Sequence, residues 1–384
     1  MIEDHIARFA GELRAIRHDL HAHPELQFEE VRTSGIVARE LQRYGFTVTT
    51  GLAKTGVVGT LSNGAGKSVG IRADMDALPI HETTNLPYAS KSPGKMHACG
   101  HDGHTTMLLG AARYLAETRN FHGTVHLIFQ PSEEDYGGAQ KMIDDGLFQR
   151  FPCDAVFALH NLPGDETGQV TVRPGAITAA IDVVTITIRG TGGHGALPHR
   201  AADPIVAASA IVMALQTLVA RNIDPLDSAA ITVGAFNAGN LATVIPGEAQ
   251  LLVGVRTCTK PVRALARQRL IDLVTAQAKS FNCEADIRYG EGFAYPPGFN
   301  SEAEARLVRD TALAMGQEAE SVDLRGPFMF AEDFACMQEV VPSCYFGLGN
   351  GQSRSLHDAG YDFNDELLIK GPAFWGRLVE RYLG

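Results

Sequence analysis

Residues 96–105, MHACGHDGHT, bring His97, Cys99, His101, Asp102 and His104 into eight consecutive positions. Three chemistries use such a concentration: a transition-metal site, a cysteine nucleophile served by a histidine base, or merely a solvated polar loop. Further clusters of the same kind lie elsewhere. GIRADMD supplies Asp74 and Asp76, QPSEE supplies Glu133 and Glu134, VFALH supplies His160, and SLHD supplies His357. Most of them directly follow an apolar run that reads as a buried strand. In open α/β sheets, ligands bind beyond the carboxyl ends of such strands.

Imidazole, thiolate and carboxylate in one set suit zinc, manganese, cobalt or nickel rather than magnesium or calcium. With Cys99, His101 and Asp102 added, the donors suffice for two divalent ions, which in catalytic pairs sit about 3.5–4 Å apart. The adjacent Glu133 and Glu134 suggest a division of labour, one binding metal and the other serving as general base. Taken singly, each signal is weak: a histidine after a strand is usually structural, and a Glu-Glu pair is usually solvated. A cysteine hydrolase using Cys99 with His101 or His104 leaves Glu133, Glu134, His160 and His357 without a role. His18, His21 and His23 read as lying on an exposed helix face or at its end. Cys153, Cys258, Cys283, Cys336 and Cys344 read as packed thiols.

The elements that must position these groups follow from pattern. A chain of 384 residues predicts two domains. Hydrophobic residues make up 45% and charged residues 20%, enough for a sizeable core, while the net charge of −11 argues against nucleic-acid or anionic-membrane partners. The apolar runs are too short for a membrane span, and the charged N-terminal stretch lacks a secretory core. The six scattered cysteines form no CxxC pair, so a reduced, cytoplasmic setting without disulfides is expected.

Helical spacing of Ile6, Leu13, Ile16 and Leu20 is broken at Pro24, and a second helix over about 30–44 ends at Gly45. Strands at 56–61 and 68–76, a helix at 105–118, a strand from 123, a helix from 138 and a strand from 154 alternate as in α/β layering on a mostly parallel sheet. Near residue 180 the pattern changes to half-exposed strands in the order β-α-β-β-α-β, a ferredoxin-like block. The expected organisation is a catalytic domain of 1–179 and 293–384, with an inserted domain of 180–292.

Several stretches in sequence order then identify a resemblance: RHDLHAHPEL, GIRADMDALPI, MHACGHDGHTTMLLGAA, IFQPSEE, LHNLPG, GTGGHGALPH, VIPG, VRT, AEDF and LHDAGYDFND. The chain resembles the dinuclear-metal aminoacylase and carboxypeptidase family, in the subgroup around hippurate hydrolase and the auxin-conjugate amidohydrolases. The resemblance implies a zinc-peptidase-like catalytic domain and an inserted dimerisation or lid domain. It implies that Cys99, His101, Glu134, His160 and His357 hold two metal ions, that Glu133 is the general acid/base, and that Asp76 orients a ligand. Asp74 stands where related subgroups carry a metal-binding histidine, and the Cys99 thiolate would compensate. His194 would reach the partner's site in a homodimer or higher homo-oligomer and stabilise the oxyanion, and Arg256 would meet a substrate carboxylate. Thr243 replaces the asparagine that many relatives carry before VIP, and Phe330 replaces a small residue before AEDF. The implied reaction hydrolyses N-acyl amino acids, hippurate-like or N-acetyl, to a carboxylic acid and a free amino acid. Dipeptides and N-carbamoyl amino acids are alternative substrates. A metal- or small-molecule-binding protein that kept the scaffold is the non-enzyme alternative, and the intact Glu133 position weighs against it.

Overall fold

Four apolar segments, Gly123–Gln130, Ser68–Asp74, Ala155–Pro163 and Ser343–Gly351, lie side by side and parallel at the centre of a seven-stranded sheet. Their side chains are buried on both faces, which is why the runs are apolar without alternation. Gly56–Asn63, Thr47–Leu52 and the short Val170–Thr171 complete the sheet as antiparallel edges. The computed structural model describes residues 1–135 and 137–384, without the side chains of 291–293.

Contacts divide the chain into two units. The first comprises Met1–Ile177, Phe299–Gly326 and Asp333–Gly384, and the second comprises Thr178–Gly298 and Pro327–Glu332. In the second, four antiparallel strands run in the order Ala229–Ala238, Glu248–Thr257, Ala180–Arg189, Glu284–Tyr295. With helices Pro204–Asn222 and Lys260–Ser280 this is the ferredoxin-like arrangement. Pro204–Asn222 is long and apolar enough by composition to cross a membrane. Here Ala207, Ala208, Ile211, Leu215 and Leu218 are buried in the unit's own core with Val184, Ile186, Leu251 and Val253.

In the first unit the helix His101–Thr118 packs against Ala10–Ala22 and the C-terminal helix Leu367–Tyr382. Met107, Leu108, Leu109, Ala111, Ala112 and Leu115 are fully buried. The helix begins at His101 itself, so His101, Asp102 and His104 lie in its first turn while His97 and Cys99 precede it.

That first turn is fixed by a buried charge network. Arg17 Nε donates to Asp102 Oδ2 at 2.9 Å and Arg17 Nη2 to Asp362 Oδ1 at 2.6 Å. His21 Nδ1 lies 2.8 Å from Asp102 Oδ2, and its Nε2 lies 3.4 Å from Glu82 Oε1. This corrects the expectation that His21 sits on an exposed face: Arg17 and His21 are fully buried. They occupy the same stripe as Leu13 and Leu20, one turn apart, so the helix presents them to the core with its apolar side chains. His18, partly exposed, stacks on Tyr88 and bonds Asp365, while His23 bonds the Asp19 carbonyl.

Burial opposes a charge on His21, but the Asp102 carboxylate outweighs it and pushes the imidazole up from 6.5 to about 9. A folded-state value above the unfolded one contributes stability that is fully present below pH 6.5 and is lost as pH rises through about 9. Urea unfolding of metal-free protein across that window is expected to show a decline of up to about 3 kcal/mol from this group. In His21→Gln the decline should flatten, with the loss already present at pH 6. An unchanged slope in the variant would remove His21 from the network's energetics.

Candidate metal centre

The polar clusters converge at one end of the parallel strands. Asp74 closes Ser68–Asp74, Glu133 and Glu134 follow Gly123–Gln130, His160 lies in Ala155–Pro163, and His357 follows Ser343–Gly351. The peptide before His101 supplies Cys99. Its Sγ lies 3.3 Å from His160 Nε2, and His357 Nε2 lies 3.3 Å from Glu134 Oε1. The sets whose donor atoms lie within 4.8 Å of one another include three built from these residues: Cys99, His101 and His160; Cys99, Glu134 and His357; His101, Glu133 and Glu134. Cys99 belongs to two of them.

Among the described residues two buried atoms at the centre make no hydrogen bond, His101 Nε2 and Glu134 Oε1; they lie 3.9 Å apart, and the His357 imidazole approaches Glu134 Oε1 as an ion-pair contact at 3.3 Å. Burying such atoms unpaired is costly, whereas a cation between them satisfies both. The electrostatics agree. Burial works against a charge on His101, yet Asp74, Asp76 and Glu134 overcome it and push its pKa up to about 10. Carboxylates that hold a proton this firmly also favour a divalent cation. Burial and the neighbouring His104 hold His160 well below 6.5. Its Nδ1–H donates to the Asn161 carbonyl at 2.8 Å, leaving the Nε2 lone pair toward Cys99. The donor set therefore fits divalent transition metals.

Asp76 accepts from the Glu134 backbone N–H at 3.0 Å through Oδ2, while its Oδ1 lies 3.2 Å from His101 Nδ1. One carboxylate thus orients two candidate ligands. Glu133 Oε1 accepts from the Asp333 backbone N–H at 3.4 Å. His357 adopts φ +64° and its N–H donates to the Ala98 carbonyl at 2.8 Å, a backbone constraint that ties it to the Cys99 peptide. Asp102, counted among the possible donors from sequence, is turned away and accepts from Arg17. Neither His101 nor His104 serves Cys99 as a hydrogen-bonded base: the imidazole in range is His160. Burial, with Glu134 and Glu133 nearby, pushes the Cys99 thiol well above its usual range, opposite to what a cysteine nucleophile requires.

The remaining residues singled out in sequence lie in the second unit. His194 is exposed and its Nδ1 accepts from the Ala196 N–H at 3.0 Å. It pairs with Val244 in a short ladder, and the Thr243 carbonyl accepts from the Gly195 N–H, so His194 and Thr243 adjoin each other. Arg256 donates from Nη1 to the Met329 carbonyl at 3.2 Å, while Phe330 stacks on Phe328.

A second buried network was not foreseen. Arg72 Nη1 donates to Asp74 Oδ2 at 2.7 Å, Nη2 to Asp333 Oδ1 at 3.1 Å, and Nε to Gln130 Oε1 at 2.8 Å. Gln130 in turn donates to Asp333, whose other oxygen accepts from the Ala139 N–H. A signal was present in GIRADMD: an arginine in an otherwise apolar buried strand must find carboxylates. Glu30 is also fully buried, accepting from the Thr55 hydroxyl at 2.6 Å and the Ser132 N–H at 2.9 Å. It anchors the loop that carries Glu133.

Comparison with known proteins gives a consistent picture. The profile of Peptidase family M20/M25/M40 matches residues 70–381. The hippurate hydrolase of Campylobacter jejuni is 41% identical over 374 residues, covering 97% of each chain. An N-acetyl-L-cysteine deacetylase of Bacillus subtilis is 39% identical, covering 97% of this chain and 88% of that one. A Bacillus subtilis crystal structure, a dinuclear metal binding peptidase from the M20 family, superposes with TM-score 0.85 at 31% identity, covering 98% of this chain and 99% of that one.

Removing the Arg72 guanidinium should leave Asp74 and Asp333 buried without their counter-charge. Arg72→Met is expected to lose about 3–5 kcal/mol in urea unfolding, and Arg72→Lys to recover little, because a point charge cannot serve three partners as the fork does. A methionine variant within 1 kcal/mol of wild type would show that Arg72 does not support these carboxylates.

Proposed function

The chain belongs to Peptidase family M20/M25/M40, and from that premise we propose that it is a metal-dependent amidohydrolase of N-acyl amino acids, releasing a carboxylic acid and a free amino acid. The observation that carries this reading is the convergence of Cys99, His101, Glu134, His160 and His357 around His101 Nε2 and Glu134 Oε1, which make no hydrogen bond among the described residues, with Glu133 beside them. Hippurate-like and N-acetyl substrates follow from the similarity to a hippurate hydrolase and a deacetylase.

In this reading those five side chains hold two divalent ions. The mixture of thiolate and imidazole favours zinc, manganese, cobalt or nickel. Bound there, the ions supply Lewis acidity to the scissile carbonyl and to the attacking water. The chain's own groups do the rest. Glu133, held by the Asp333 N–H, takes a proton from the water as its oxygen adds to the carbonyl carbon, and delivers that proton to the nitrogen as the C–N bond breaks. Asp76 keeps His101 and Glu134 in register. His194, from a partner subunit, stabilises the oxyanion, with Thr243 beside it at the substrate. Arg256 reads the α-carboxylate. Exposed apolar side chains around the His194 loop, Leu197, Leu241 and Val244, support a homodimer. The six free cysteines support a reducing, cytoplasmic setting.

The direct test assays metal-free, zinc-loaded and manganese-loaded protein on N-benzoylglycine and a panel of N-acetyl amino acids. Loaded wild type should turn over and metal-free protein should not. Glu133→Gln should retain its metal and lose roughly 10²-fold or more in kcat. Loss of both ions in that variant would make Glu133 a ligand and displace it as the base.

For substrate class, the comparison is a free N-acyl amino acid against its methyl ester. Wild type should prefer the acid, and Arg256→Ala should lose about 10- to 200-fold in kcat/KM on the acid only. Equal cleavage of both forms by wild type would remove carboxylate recognition from the reading.

A further inference from the structure

Asn161, the residue after His160, is fully buried and every polar group it has is engaged within the candidate centre. Its side-chain Nδ2 donates to the Cys99 carbonyl at 2.7 Å. Its Oδ1 accepts from the Tyr361 hydroxyl at 2.7 Å. Its backbone N–H donates to His104 Nε2 at 3.0 Å, and its carbonyl accepts from His160 Nδ1 at 2.8 Å. Because Asn161 N–H donates to it, His104 Nε2 carries the lone pair and Nδ1 carries the proton, which Asp74 accepts at 2.6 Å. The His104 ring is thus occupied at both nitrogens and is a strut between two strand ends.

One residue therefore holds both partners of the Cys99–His160 pair. The amide fixes the plane of the Cys99–Gly100 peptide, and the backbone fixes the ring of His160 and its tautomer. Tyr361 sets which way the amide faces: its hydroxyl donates, so Oδ1 points to it and Nδ2 to Cys99. The turn is packed onto this arrangement. Gly100 has φ +88°, and a Cβ there would lie 2.5 Å from Asn161 Nδ2 and 2.7 Å from the Tyr361 hydroxyl.

We propose that Asn161, oriented by Tyr361, is a positioning residue that sets the Cys99 sulfur and the His160 imidazole at the separation a shared metal ion requires. The proposal rests on the reading of these two side chains as ligands. With its polar groups taken up by protein partners, Asn161 acts through the two residues it holds.

The test titrates metal-depleted protein with cobalt(II) alone, following the thiolate-to-cobalt charge-transfer absorption, with no turnover involved. Wild type should show the band and Cys99→Ser should abolish it. Absence of the band in wild type would refute the ligand reading, and the positioning role with it. With the band present in wild type, Asn161→Ala is expected to bind cobalt roughly 10- to 100-fold more weakly and to shift the band. Tyr361→Phe, which removes one hydroxyl and leaves the fold's packing intact, should weaken binding roughly 3- to 10-fold in the same direction. A purely structural role would lower the unfolding temperature while leaving the affinity and the band of the folded protein as in wild type. Wild-type cobalt affinity and spectrum in folded Asn161→Ala would overturn the proposal. If Asn161→Ala fails to fold, the same result in Tyr361→Phe overturns it.

Discussion

Buried acceptors packed against one another are the constraint on which the first unit depends. Asp74, Asp76, Glu133, Asp102 and Asp333 are all less than a tenth exposed, and they crowd around imidazoles that are likewise buried. Withdrawing so many carboxylates from water is prohibitive unless positive charge is withdrawn with them. Two guanidiniums, Arg17 and Arg72, supply it, and both are fully buried. They approach from different elements: Arg17 from the N-terminal helix beneath Asp102, Arg72 from within the sheet beneath Asp74 and Asp333. At the candidate centre two atoms, His101 Nε2 and Glu134 Oε1, make no hydrogen bond among the described residues, a deficit that a cation would satisfy.

Such ion pairs contribute little net stability, since their Coulombic gain is spent on desolvation. What they confer is position. Arg17 holds Asp102, the second residue of the helix whose first is His101. Arg72 holds Asp74, whose other oxygen meets His104, and Asp333, whose N–H meets Glu133. His101 and Glu133 are thus each one covalent or hydrogen-bonded step from a carboxylate that cannot move without exposing an unpaired charge. Stability itself resides in the apolar layers, where Phe129, Phe157, Phe346, Phe374 and Trp375 are fully or almost fully buried.

The second unit obeys a different logic. Its strands alternate, with Val184, Ile186 and Ile188 facing Val253, Leu251 and Ala249 through the register onto the helices. Its polar residues of interest, His194, Thr243 and Arg256, are exposed or half-buried on loops or strand ends.

Much of this was legible in the sequence because apolar periodicity and donor chemistry are local properties. Continuous apolar runs gave the parallel strands, alternating runs gave the ferredoxin-like unit, and the coincidence of Cys99 and His101 with Glu133, Glu134, His160 and His357 after strands gave the candidate centre. His21 was misplaced and Arg17, Arg72, Asn161 and Tyr361 went unassigned for one reason. A polar side chain reads as solvent-exposed until its partner is known, and their partners lie far off in the chain: Asp102, Asp333, Cys99 and Asn161 are 81, 261, 62 and 200 residues from His21, Arg72, Asn161 and Tyr361. The sequence alone determined which donors were available and which elements would carry them. Only the tertiary structure decided which polar groups face inward, because that depends on complementary charge brought together across the fold.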